Sequence, residues 1–550
     1  MSDRPQQAPL LAIRNLSVSY TTRDRTFDAV RLVSLDLGKG EVVALVGESG
    51  SGKTTIARAI MAMLAPQAKI TGGSIRYEGQ ELIGLSPREY DRVRGREIGW
   101  IPQDPMVSLN PLHRIGKQVS EPLRIHGLAD ARDAEQRAVA LLDRVGIQHS
   151  EARAHQYPHE LSGGMRQRAL IAGALAAEPQ LIIADEPTTA LDVTVQKRIL
   201  DDLEQLRASA GISVLLITHD LAVAAERAHR VVVLRHGEIV EQGTAADVLK
   251  NPQHAYTKLL LASAPSMSQG RLRPLASPVK AEQANASPPI LVALSVSKSF
   301  DVRGPRSVAH RVDAVKDATI ELRAGETLGL VGESGSGKST LSRLLLGLVP
   351  PSAGRVLFEG EEIGGFGRGR HRQFRQAIQP VYQNPYASLN PRFSVAEIIG
   401  EPLLGFGIGD REERGRRVLE LLDQVKLPRT MGERRTSELS GGQRQRVAIA
   451  RALAPNPKLI VCDEPVSALD VSVQSEILKL LAEFQETQGL GYLFISHDLA
   501  VVRQVADRVA VMKDGVIVES GTTAEVFDRP RHDYTKLLID SIPGRQLEAA

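Results

Sequence analysis

The sequence predicts two α/β domains in tandem, and the first observation behind this prediction is an internal repeat. The block LVGESGSGK occurs at 45–53 and again, letter for letter, at 330–338. Three further pairs of blocks follow in the same order: QDPMVSLNP (103–111) with QNPYASLNP (383–391), ADEPTTALDV (184–193) with CDEPVSALDV (462–471), and ITHDLAV (217–223) with ISHDLAV (495–501). The offset between partners stays at 278 to 285 residues, so the chain is expected to hold two homologous units of about 260 residues.

The second observation is the alternation of short apolar runs with longer helical stretches. EVVALV (41–46), QLIIAD (180–185) and SVLLIT (213–218) are typical of strands buried in a parallel sheet. TTIARAIMAML and QRALIAGALAAE have apolar residues at helical spacing. This alternation predicts an α/β core in each unit.

The third observation is a stretch from about 115 to 160 that is helical in pattern throughout. We expect it to form a helical subdomain inserted into the α/β core. At its end lies the loop LSGGMRQR (161–168), which returns as LSGGQRQR at 439–446.

The predicted domain boundaries follow from the repeat and from one stretch of different composition. Residues 265–289 contain five prolines and many serines and alanines without helical or strand periodicity, so we expect a linker there. The predicted divisions are a first α/β domain (1–250), a first C-terminal extension (251–264), the linker (265–289), a second α/β domain (290–528) and a second C-terminal extension (529–550).

The composition is that of an ordinary soluble globular protein and disfavours several classes. Of the 550 residues, 42% are hydrophobic and 24% charged, and the net charge of +3 comes without a basic stripe interleaved with aromatics, which disfavours nucleic acid as a partner. A single cysteine, Cys462, excludes an internal disulfide. The N-terminus lacks the pattern of a signal peptide, and no apolar run approaches the roughly 18 residues that span a bilayer. We therefore expect a soluble chain whose membrane role, if any, depends on partners.

The glycine-rich segment 47–54 has the sequence and setting of a P-loop. It follows a predicted strand and opens a predicted helix, so its backbone N–H groups and the helix dipole can cradle phosphates. Lys53 is predicted to reach the terminal phosphates and the Thr54 hydroxyl to ligate Mg²⁺; Lys338 and Ser339 repeat these roles. The alternative interpretation, a glycine-rich turn without a ligand-binding role, is disfavoured because the strand–loop–helix setting occurs twice. The predicted nucleotide-binding residues of the two loops are Gly47, Ser49, Gly50, Gly52, Lys53, Thr54 and Thr55, and Gly332, Ser334, Gly335, Gly337, Lys338, Ser339 and Thr340.

Acidic residues end one predicted strand of each unit. Asp185 and Asp463 stand where a carboxylate would hold Mg²⁺, directly or through water. Glu186 and Glu464 follow immediately and are predicted to polarise the attacking water. An acidic pair at a strand end is often only solvated, but that alternative weakens beside a P-loop.

Each unit also carries a histidine and a glutamine after further apolar runs. His219 and His497 are predicted to contact the γ-phosphate, although a lone histidine in such a place is usually a surface group. Gln103 and Gln383 are predicted to complete the Mg²⁺ and water shell and to sense the nucleotide.

The remaining candidate ligands are aromatic and acidic. Tyr20 and Phe300 lie at matching positions before the P-loops and can stack on adenine, with packing in the core as the alternative. Asp192 and Asp470 are the last residues but one of the repeated acidic blocks and are predicted to contact the nucleotide.

Taken together, these motifs resemble the nucleotide-binding subunits of ATP-binding cassette transporters over nearly the whole chain. In that family LSGGQ is the signature loop and acts in trans, because two cassettes pair head to tail. The resemblance implies that Ser162, Gly163 and Gly164 close on ATP held by Lys338. It likewise implies that Ser440, Gly441 and Gly442 close on ATP held by Lys53. The first signature departs from the family's pattern, with Met165 where the second has Gln443, so mild asymmetry between two competent sites is expected.

Finer features resemble the dipeptide, oligopeptide and nickel importers within that family. These are the segments QDPMVSLNPL and QNPYASLNPR and the endings NPQHAYTKLLLASAP (251–265) and RPRHDYTKLLIDSIP (529–543). The resemblance implies ATP and Mg²⁺ as cofactors, and as partners two transmembrane permease subunits and a solute-binding protein, with no nucleic acid. It implies peripheral attachment to the cytoplasmic face of a bacterial inner membrane. Some relatives bind an iron–sulfur cluster in the extension, but neither extension here has a cysteine, so no cluster is expected.

The function predicted from these features is an ATPase that energises import of a small peptide or peptide-like solute. Nickel, glutathione, an opine or an oligosaccharide remain open as solutes, because the ATPase need not touch the solute. A soluble ribosome-acting tandem cassette protein is disfavoured by the short proline-rich linker. Chromosome or repair ATPases are disfavoured by the lack of coiled coils and zinc cysteines, and half of an exporter by the lack of a membrane domain.

Overall fold

The structure, a computed structural model, describes residues 8–22, 25–188, 191–263, 272, 288–303, 309–383, 388–467 and 469–544. The chain divides into two compact units whose main boundary lies between residues 264 and 265. Most of the predicted linker, residues 384–387 of the second glutamine segment and the last six residues of the second extension lie outside the described residues. The predicted tandem of α/β domains is confirmed.

The first unit alternates strands and helices as its sequence pattern predicts. Its strands are Leu11–Thr21 (β1), Thr26–Leu37 (β2), Val42–Val46 (β3), Ala68–Tyr77 (β4), Gln80–Glu81 (β5), Ile98–Ile101 (β6), Leu181–Asp185 (β7), Ser213–Thr218 (β8), Arg230–Arg235 (β9) and Glu238–Thr244 (β10). Its helices are Lys53–Ile60 (α1), Pro87–Val93 (α2), Pro105–Ser108 (α3), Ile115–Ile125 (α4), Ala131–Arg144 (α5), Ser150–Ala154 (α6), Gly163–Leu175 (α7), Val193–Ala210 (α8), Leu221–Arg227 (α9), Ala245–Lys250 (α10) and Ala255–Ser263 (α11), with a 3₁₀ turn at Pro158–Glu160.

Two sheets organise the first unit. One is antiparallel, in the order β2-β1-β4-β5. The other has the order β10-β9-β3-β8-β7-β6, and all of its strands are parallel except β10 at the edge. The carboxyl ends of β3, β6, β7 and β8 therefore meet at one edge of this sheet, which is where open parallel sheets bind ligands.

Burial explains why the central strands read as unbroken apolar runs. Every residue of β3, β7 and β8 is buried, including the terminal Asp185. Ile56 and Ile60 of α1 pack on one face of this sheet together with residues of the antiparallel sheet. The helical segment packs on the other face, where Leu142 and Ile171 share a cluster with Leu216.

The predicted helical subdomain is present as three separate helices rather than one continuous stretch. Helices α4, α5 and α6 and the 3₁₀ turn fill residues 115–160. Gly127 and Gly146 interrupt them with φ angles of 65° and 75°, a left-handed backbone that glycine adopts at little cost. The segment leads directly to Ser162, where α7 begins.

The second unit repeats these elements. Its strands are Leu291–Arg303 (β11), Ala309–Leu322 (β12), Thr327–Val331 (β13), Ala353–Phe358 (β14), Glu361–Glu362 (β15), Ile378–Val381 (β16), Leu459–Asp463 (β17), Gly491–Ile495 (β18), Arg508–Lys513 (β19) and Val516–Thr522 (β20). Its described helices are Lys338–Leu345 (α12), Arg368–Ala377 (α13), Val395–Gly405 (α14), Arg411–Gln424 (α15), Gly441–Leu453 (α16), Val471–Gln488 (α17), Leu499–Val505 (α18), Thr523–Asp528 (α19) and Asp533–Asp540 (α20), with 3₁₀ turns at Ile363–Gly365, Arg429–Glu433 and Thr436–Glu438.

The sheets of the second unit have the same topology as those of the first. The antiparallel sheet runs β12-β11-β14-β15, and the mixed sheet runs β20-β19-β13-β18-β17-β16. The carboxyl ends of β13, β16, β17 and β18 meet at one edge, so both units present the same candidate region.

A short helical ending is tied to the last strand of each unit. Glu241 of β10 accepts hydrogen bonds from the backbone N–H groups of Gln253 (2.7 Å) and His254 (3.1 Å), just before α11. Glu519 of β20 accepts the equivalent bonds from Arg531 (2.9 Å) and His532 (3.0 Å) before α20.

Among the described residues, no helix has the length and apolar character that crossing a membrane requires.

Candidate functional site

The first P-loop joins β3 to α1 at the sheet edge where the carboxyl ends meet. Gly52 caps α1 with φ 105°, and a Cβ at this position would lie 2.5 Å from the carbonyl oxygen of Ala29 on β2. Only glycine fits there without displacing backbone. Lys53 is buried, and its Nζ donates hydrogen bonds to the carbonyl oxygens of Gly47 (2.6 Å) and Glu48 (2.8 Å).

The second P-loop has the same geometry between β13 and α12. Gly337 caps the helix with φ 108°, and a Cβ there would lie 2.3 Å from the Ala314 carbonyl oxygen. The Nζ of Lys338 donates to the carbonyl oxygens of Gly332 and Glu333, both at 2.7 Å. Burial lowers the pKa of the Lys338 ammonium, against the opposing influence of nearby carboxylates.

An acidic strand end lies beside each P-loop helix. Asp185 ends β7, and its Oδ1 accepts a hydrogen bond from Thr54 Oγ1 at 3.1 Å. Burial raises the pKa of Asp185 to about 6; the bond from Thr54 opposes the rise, and the neighbouring Glu186 charge adds to it. Asp463 ends β17, and its pKa is raised by burial and by the charge of Glu464. Burial thus disfavours the ionised form of both carboxyls.

Two predicted side chains, those of Gln103 and His219, contact the predicted glutamate Glu186. Gln103, two residues beyond β6, donates from Nε2 to Glu186 Oε2 at 2.9 Å. His219, the residue after β8, has its Nδ1 3.3 Å from Glu186 Oε1. The backbone N–H of Glu186 donates to Ile217 O at 2.9 Å, and its φ of 48° lies in the left-handed region.

The same three-residue arrangement occurs at Glu464. Gln383 Nε2 donates to Glu464 Oε2 at 2.8 Å, and His497 Nδ1 lies 3.2 Å from the same oxygen. The backbone N–H of Glu464 donates to Ile495 O at 2.9 Å, again with φ 48°. A glutamine, a glutamate and a histidine brought from three strand ends therefore form a fixed polar cluster in each unit.

The glutamate–histidine contacts shift both pKa values. Burial alone raises the pKa of Glu464, but the hydrogen bond from His497 and nearby positive charge outweigh it, so the pKa is lowered. Burial lowers the pKa of His497 and of His219, but in each case the hydrogen bond to the adjacent glutamate and the nearby negative charges together outweigh burial, and the pKa is raised. The geometry therefore favours an ionised glutamate beside a protonated histidine.

The signature loops form the starts of two helices. Ser162 precedes α7 and its Oγ accepts a hydrogen bond from the Met165 N–H at 3.3 Å. Ser440 precedes α16 and accepts from the Gln443 N–H, also at 3.3 Å. Gly163, Gly164, Gly441 and Gly442 are the first helical residues. Asp192 and Asp470 stand immediately before α8 and α17.

The candidate adenine-stacking aromatics lie on hairpins that contact the P-loops. Tyr20 of β1 pairs with Phe27 of β2, and the two rings stack with centroids 5.6 Å apart. Phe300 of β11 pairs with Val312 of β12 and is 39% exposed. Phe27 and Val312 are each two residues before the alanine that abuts the P-loop, Ala29 or Ala314. The hairpins are therefore near the loops, and one face of the Tyr20 ring is covered by Phe27.

The structure also brings a residue of each extension to its own P-loop, which sequence reasoning missed. Tyr256 of α11 accepts a hydrogen bond from the Glu48 N–H at 3.2 Å, and Tyr534 of α20 accepts one from the Glu333 N–H at 3.0 Å. The available signal was the repeated YTKLL in the two endings. It marked the extension but gave no role to the tyrosine.

These features define a P-loop nucleotide-binding protein with two sites of the same design. Comparison with known proteins then gives the family. Residues 30–189 and 315–467, more than half of the chain, match the ABC transporter family. Residues 240–291 and 518–548 match a second family, described as the C-terminal region of oligopeptide/dipeptide transporters.

Relatives are similar over nearly their full length. The peptidoglycan transport ATP-binding protein YejF of Agrobacterium fabrum is 46% identical over 539 residues, covering 96% of this chain and 96% of that protein. The glutathione import ATP-binding protein GsiA of Salmonella paratyphi A is 42% identical, covering 98% and 91%. The oligopeptide transport ATP-binding protein OppD of Mycobacterium bovis is also 42% identical, covering 98% of each.

The chain therefore belongs to the ABC transporter family, as an ATP-binding protein with two cassettes in tandem. The resemblance drawn from its motifs is confirmed. ATP-binding proteins of this family are ATPases coupled to transport, and the chain is such an ATPase.

Proposed function

We propose that the chain powers the import of a small peptide or peptide-like solute through separate membrane permease subunits. The observation that carries the proposal is the same glutamine–glutamate–histidine cluster beside a P-loop in both units, joined to a C-terminal region of the oligopeptide/dipeptide type. The names of the relatives, which refer to peptidoglycan, glutathione and oligopeptides, support a peptide-like solute. A solute-binding protein outside the membrane would deliver it, and the chain would sit peripherally on the cytoplasmic face of a bacterial inner membrane.

We assign a Mg²⁺ position to the P-loop hydroxyl and the acidic strand end of each unit. Among the described residues there is no group of three or more His, Cys, Asp or Glu that could hold a metal alone. Mg²⁺ is commonly held by one or two protein ligands together with substrate phosphates and water, and the Thr54 hydroxyl beside Asp185 is such a set of hard oxygen donors. Gln103, which bonds to Glu186 next to Asp185, is proposed to complete the same shell, and Ser339, Asp463 and Gln383 would serve the second site. When bound, the ion neutralises negative charge on the phosphates.

Glu186 and Glu464 are the proposed activators of the attacking water. A carboxylate one residue past the strand end can accept a proton or orient water without being held by the metal. The amide of Gln103 and the imidazole of His219 hold Glu186 through both of its oxygens. Because its pKa is raised, His219 would carry a positive charge next to the negative charge that develops on the γ-phosphate. Hydrolysis in this scheme depends on positioning and electrostatics.

We further propose that the two cassettes work head to tail, with each signature serving the other cassette's ATP. Ser162, Gly163 and Gly164 would then complete the site of Lys338. Ser440, Gly441 and Gly442 would complete the site of Lys53. ATP binding would close such a pair of cassettes, and hydrolysis would reopen it. The domain boundaries that we propose are those predicted from the sequence. Support comes from membership of a family in which the signature acts in this way.

The segments after the two glutamines are the proposed permease contacts. Residues 104–111 include α3, on which Met106 is 63% and Val107 83% exposed, and Leu112 beyond them is 80% exposed. Beside them a groove of about 810 Å³, lined among others by Trp100 and Ile125, separates the helical segment from the α/β core. Exposed apolar residues beside a groove support docking of a partner element there. The counterpart 384–391 is proposed to contact the second permease.

The test is purification from membranes followed by uptake measurements. We expect the tagged chain to co-purify with two integral membrane permeases, and the reconstituted complex to take up labelled tri- to pentapeptides with ATP. Met106→Ser with Val107→Ser should lower uptake several-fold and leave ATP binding unchanged, whereas Leu32→Ser, a change at an exposed leucine on β2, should have no effect. Co-sedimentation with ribosomes or DNA in place of membranes would overturn the proposal.

A further inference from the structure

The C-terminal extension of the first unit reaches the P-loop through one buried side chain. Tyr256, near the start of α11, is 3% exposed, and its hydroxyl oxygen accepts a hydrogen bond from the backbone N–H of Glu48 at 3.2 Å. The two residues are 208 positions apart in the sequence. The hydroxyl therefore ties the helical ending of the unit to the start of its phosphate loop.

The second unit makes the same connection with its own residues. Tyr534, near the start of α20, is 4% exposed and accepts a hydrogen bond from the Glu333 N–H at 3.0 Å. Glu48 and Glu333 are equivalent residues of the repeated loop, each one position after its first glycine. The contact is thus present twice, in two units whose extensions differ in sequence at many positions.

The tyrosine and the P-loop lysine hold the same residue of the loop. Lys53 donates to the carbonyl oxygen of Glu48, while Tyr256 accepts from the N–H of that residue. In the second unit Lys338 and Tyr534 hold Glu333 in the same way. The backbone N–H and C=O groups of Glu48, and likewise those of Glu333, are therefore both held by hydrogen bonds. The turn that leads into the phosphate-binding loop cannot shift without breaking one of these bonds.

The tyrosine ring is in turn fixed by the strand that supports the loop. The Arg235 guanidinium lies 4.7 Å from the Tyr256 ring centroid, and Lys513 Nζ lies 5.0 Å from that of Tyr534. Each cation follows directly on the residue whose carbonyl oxygen packs against the first glycine of the loop, at Leu234 or Met512. A cation over an aromatic ring is attractive and holds the ring in one orientation.

The amino end of the extension helix is also fixed. The Tyr256 N–H donates to His254 Nδ1 at 3.1 Å, and the His254 N–H donates to Glu241 of β10 at 3.1 Å. In the second unit the Tyr534 N–H donates to His532 Nδ1 at 3.1 Å, and the His532 N–H donates to Glu519 at 3.0 Å. Burial raises the pKa of the Tyr256 hydroxyl to about 12, so it stays protonated at neutral pH.

We propose that Tyr256 and Tyr534 are positioning residues for ATP, and that each extension thereby forms part of the nucleotide site of its own unit. Each hydroxyl fixes the first turn of the P-loop, so that the following N–H groups and the lysine are held in place for the phosphates. Removal of the hydroxyl frees the Glu48 or Glu333 N–H and lets the loop sample other conformations, which lowers affinity for ATP. The inference rests on ATP binding at the P-loops and is independent of the solute that is transported.

The test is the double variant Tyr256→Phe with Tyr534→Phe, which removes two oxygen atoms and keeps both rings. One such hydrogen bond is worth about 1 kcal/mol, so we expect the KM and Kd for ATP to rise about fivefold. The kcat at saturating ATP should stay within about twofold, because the hydroxyl bonds to the P-loop backbone and the proposed activators of water are Glu186 and Glu464. Stabilisation of the chain against thermal unfolding by ATP should shrink in parallel.

The matched control is Tyr77→Phe with Tyr492→Phe. These tyrosines are also buried, at 3% each, but their hydroxyls donate to the carbonyl oxygens of Glu97 and Leu481, away from the loops. The KM of this control variant for ATP should stay at the wild-type value even if its melting temperature falls. An unchanged KM and Kd in the Tyr256/Tyr534 variant, or an equal rise in the control, would overturn the inference. If the wild-type protein bound ATP normally but supported no peptide uptake, the proposed import function would be refuted and the inference about the two tyrosines would not be affected.

Discussion

At the scale of single residues, the two glutamates proposed to activate water share an unusual backbone conformation. Glu186 and Glu464 each have φ 48°, a region that non-glycine residues enter at a cost of the order of 1 kcal/mol. The cost is met by the backbone bond to the neighbouring strand and by the two side chains that hold each carboxylate. The result is a carboxylate whose position is determined by three elements.

Replacement of both glutamates by glutamine tests their role. We expect Glu186→Gln with Glu464→Gln to keep ATP affinity near that of the wild type, since neither side chain belongs to a P-loop. Turnover should fall by about 10² to 10⁴, the range typical of lost general-base catalysis, and the closed form should accumulate. Steady-state hydrolysis and nucleotide trapping measure the two effects. Near-normal hydrolysis in the double variant would refute the assignment.

The pairing of His497 with Glu464 predicts a pH-dependent contribution to stability. The histidine pKa is raised in the folded protein, so its contribution is complete below the unfolded value of about 6.5 and is lost as pH rises through the folded value. The glutamate pKa is lowered, so its contribution is lost only as pH falls below about 4.5 towards the folded value. The pair should therefore stabilise the chain most between about pH 5 and 6.5.

His497→Gln is the variant that measures this contribution. The drop in melting temperature relative to the wild type should be largest near pH 6 and smaller near pH 9, by thermal unfolding in matched buffers. His155→Gln, at an exposed histidine, is the control and should show no such trend. A difference that stays constant from pH 6 to 9 would mean that the ion pair adds no stability.

Much of the candidate site was predictable at this scale, because each side chain stands directly at the end of an apolar run. Asp185, Glu186 and His219 follow strands whose limits agree with the sequence pattern to within a residue. Tyr256 was not predictable in the same way. Its partner is a backbone N–H of Glu48, and a backbone group leaves no residue pattern in the sequence at a separation of 208 positions.

At the scale of secondary-structure elements, the two signature helices begin differently although their loops are nearly identical. In the second unit Ser440 and Gln443 form a reciprocal capping box, because Gln443 Oε1 also accepts from the Ser440 N–H at 3.0 Å. In the first unit Met165 occupies the third helical position, and a thioether is a weak acceptor. Met165 instead packs against the apolar cluster of the helical segment. The replacement of glutamine by methionine thus changes the hydrogen bonding at the helix start, and the asymmetry of the two ATP sites stays a prediction.

Loss of this reciprocal bond is predicted to destabilise the second unit. Gln443→Met should lower the free energy of unfolding by about 0.5–1 kcal/mol, since the backbone N–H of the capping residue Ser440 loses its partner. Gln443→Glu keeps an acceptor at the same place and should cost less. Chemical denaturation of the two variants measures the difference. Equal destabilisation by Met and Glu would mean that the capping bond contributes nothing.

Element boundaries were the less predictable part of the fold. The parallel strands were predictable because burial on both faces makes them continuous apolar runs. The stretch 115–160 has a helical pattern throughout, but Gly127 and Gly146 end helices there with positive φ. A glycine within an amphipathic pattern is compatible with a continuing helix or with its end, and only the packing of α4 and α5 against α7 decides between them.

At the scale of the whole molecule, duplication explains why one chain carries two signatures, two P-loops and two extensions. Each unit has a complete fold with its own sheets, and each polar cluster is built from residues of one unit. Since each unit carries one signature and one P-loop, two signatures are compatible with service of the own unit or of the other unit. The proposed arrangement in trans makes a different prediction for each half.

Ser162→Arg distinguishes the two arrangements. A bulky cation at this helix start should block closure over ATP held by Lys338 and leave capture at Lys53 largely intact. ATPase rate is a poor measure, because cooperating sites fail together. Photolabelling with an azido-ATP under trapping conditions, followed by cleavage at a protease site inserted in the 265–289 linker, reports each half separately. We expect label on the second half to fall at least about tenfold.

The mirror variant Ser440→Arg controls for local damage to the helix start. Arginine at either position also removes a helix N-cap, worth about 1 kcal/mol, and that loss acts on the unit that carries the substitution. Damage confined to the cap would therefore reduce label on the mutated half in both variants. The arrangement in trans requires the opposite in both: Ser162→Arg depletes the second half and Ser440→Arg the first. If each variant instead lost the label on its own half, each signature would serve its own P-loop, and the arrangement in trans would be refuted.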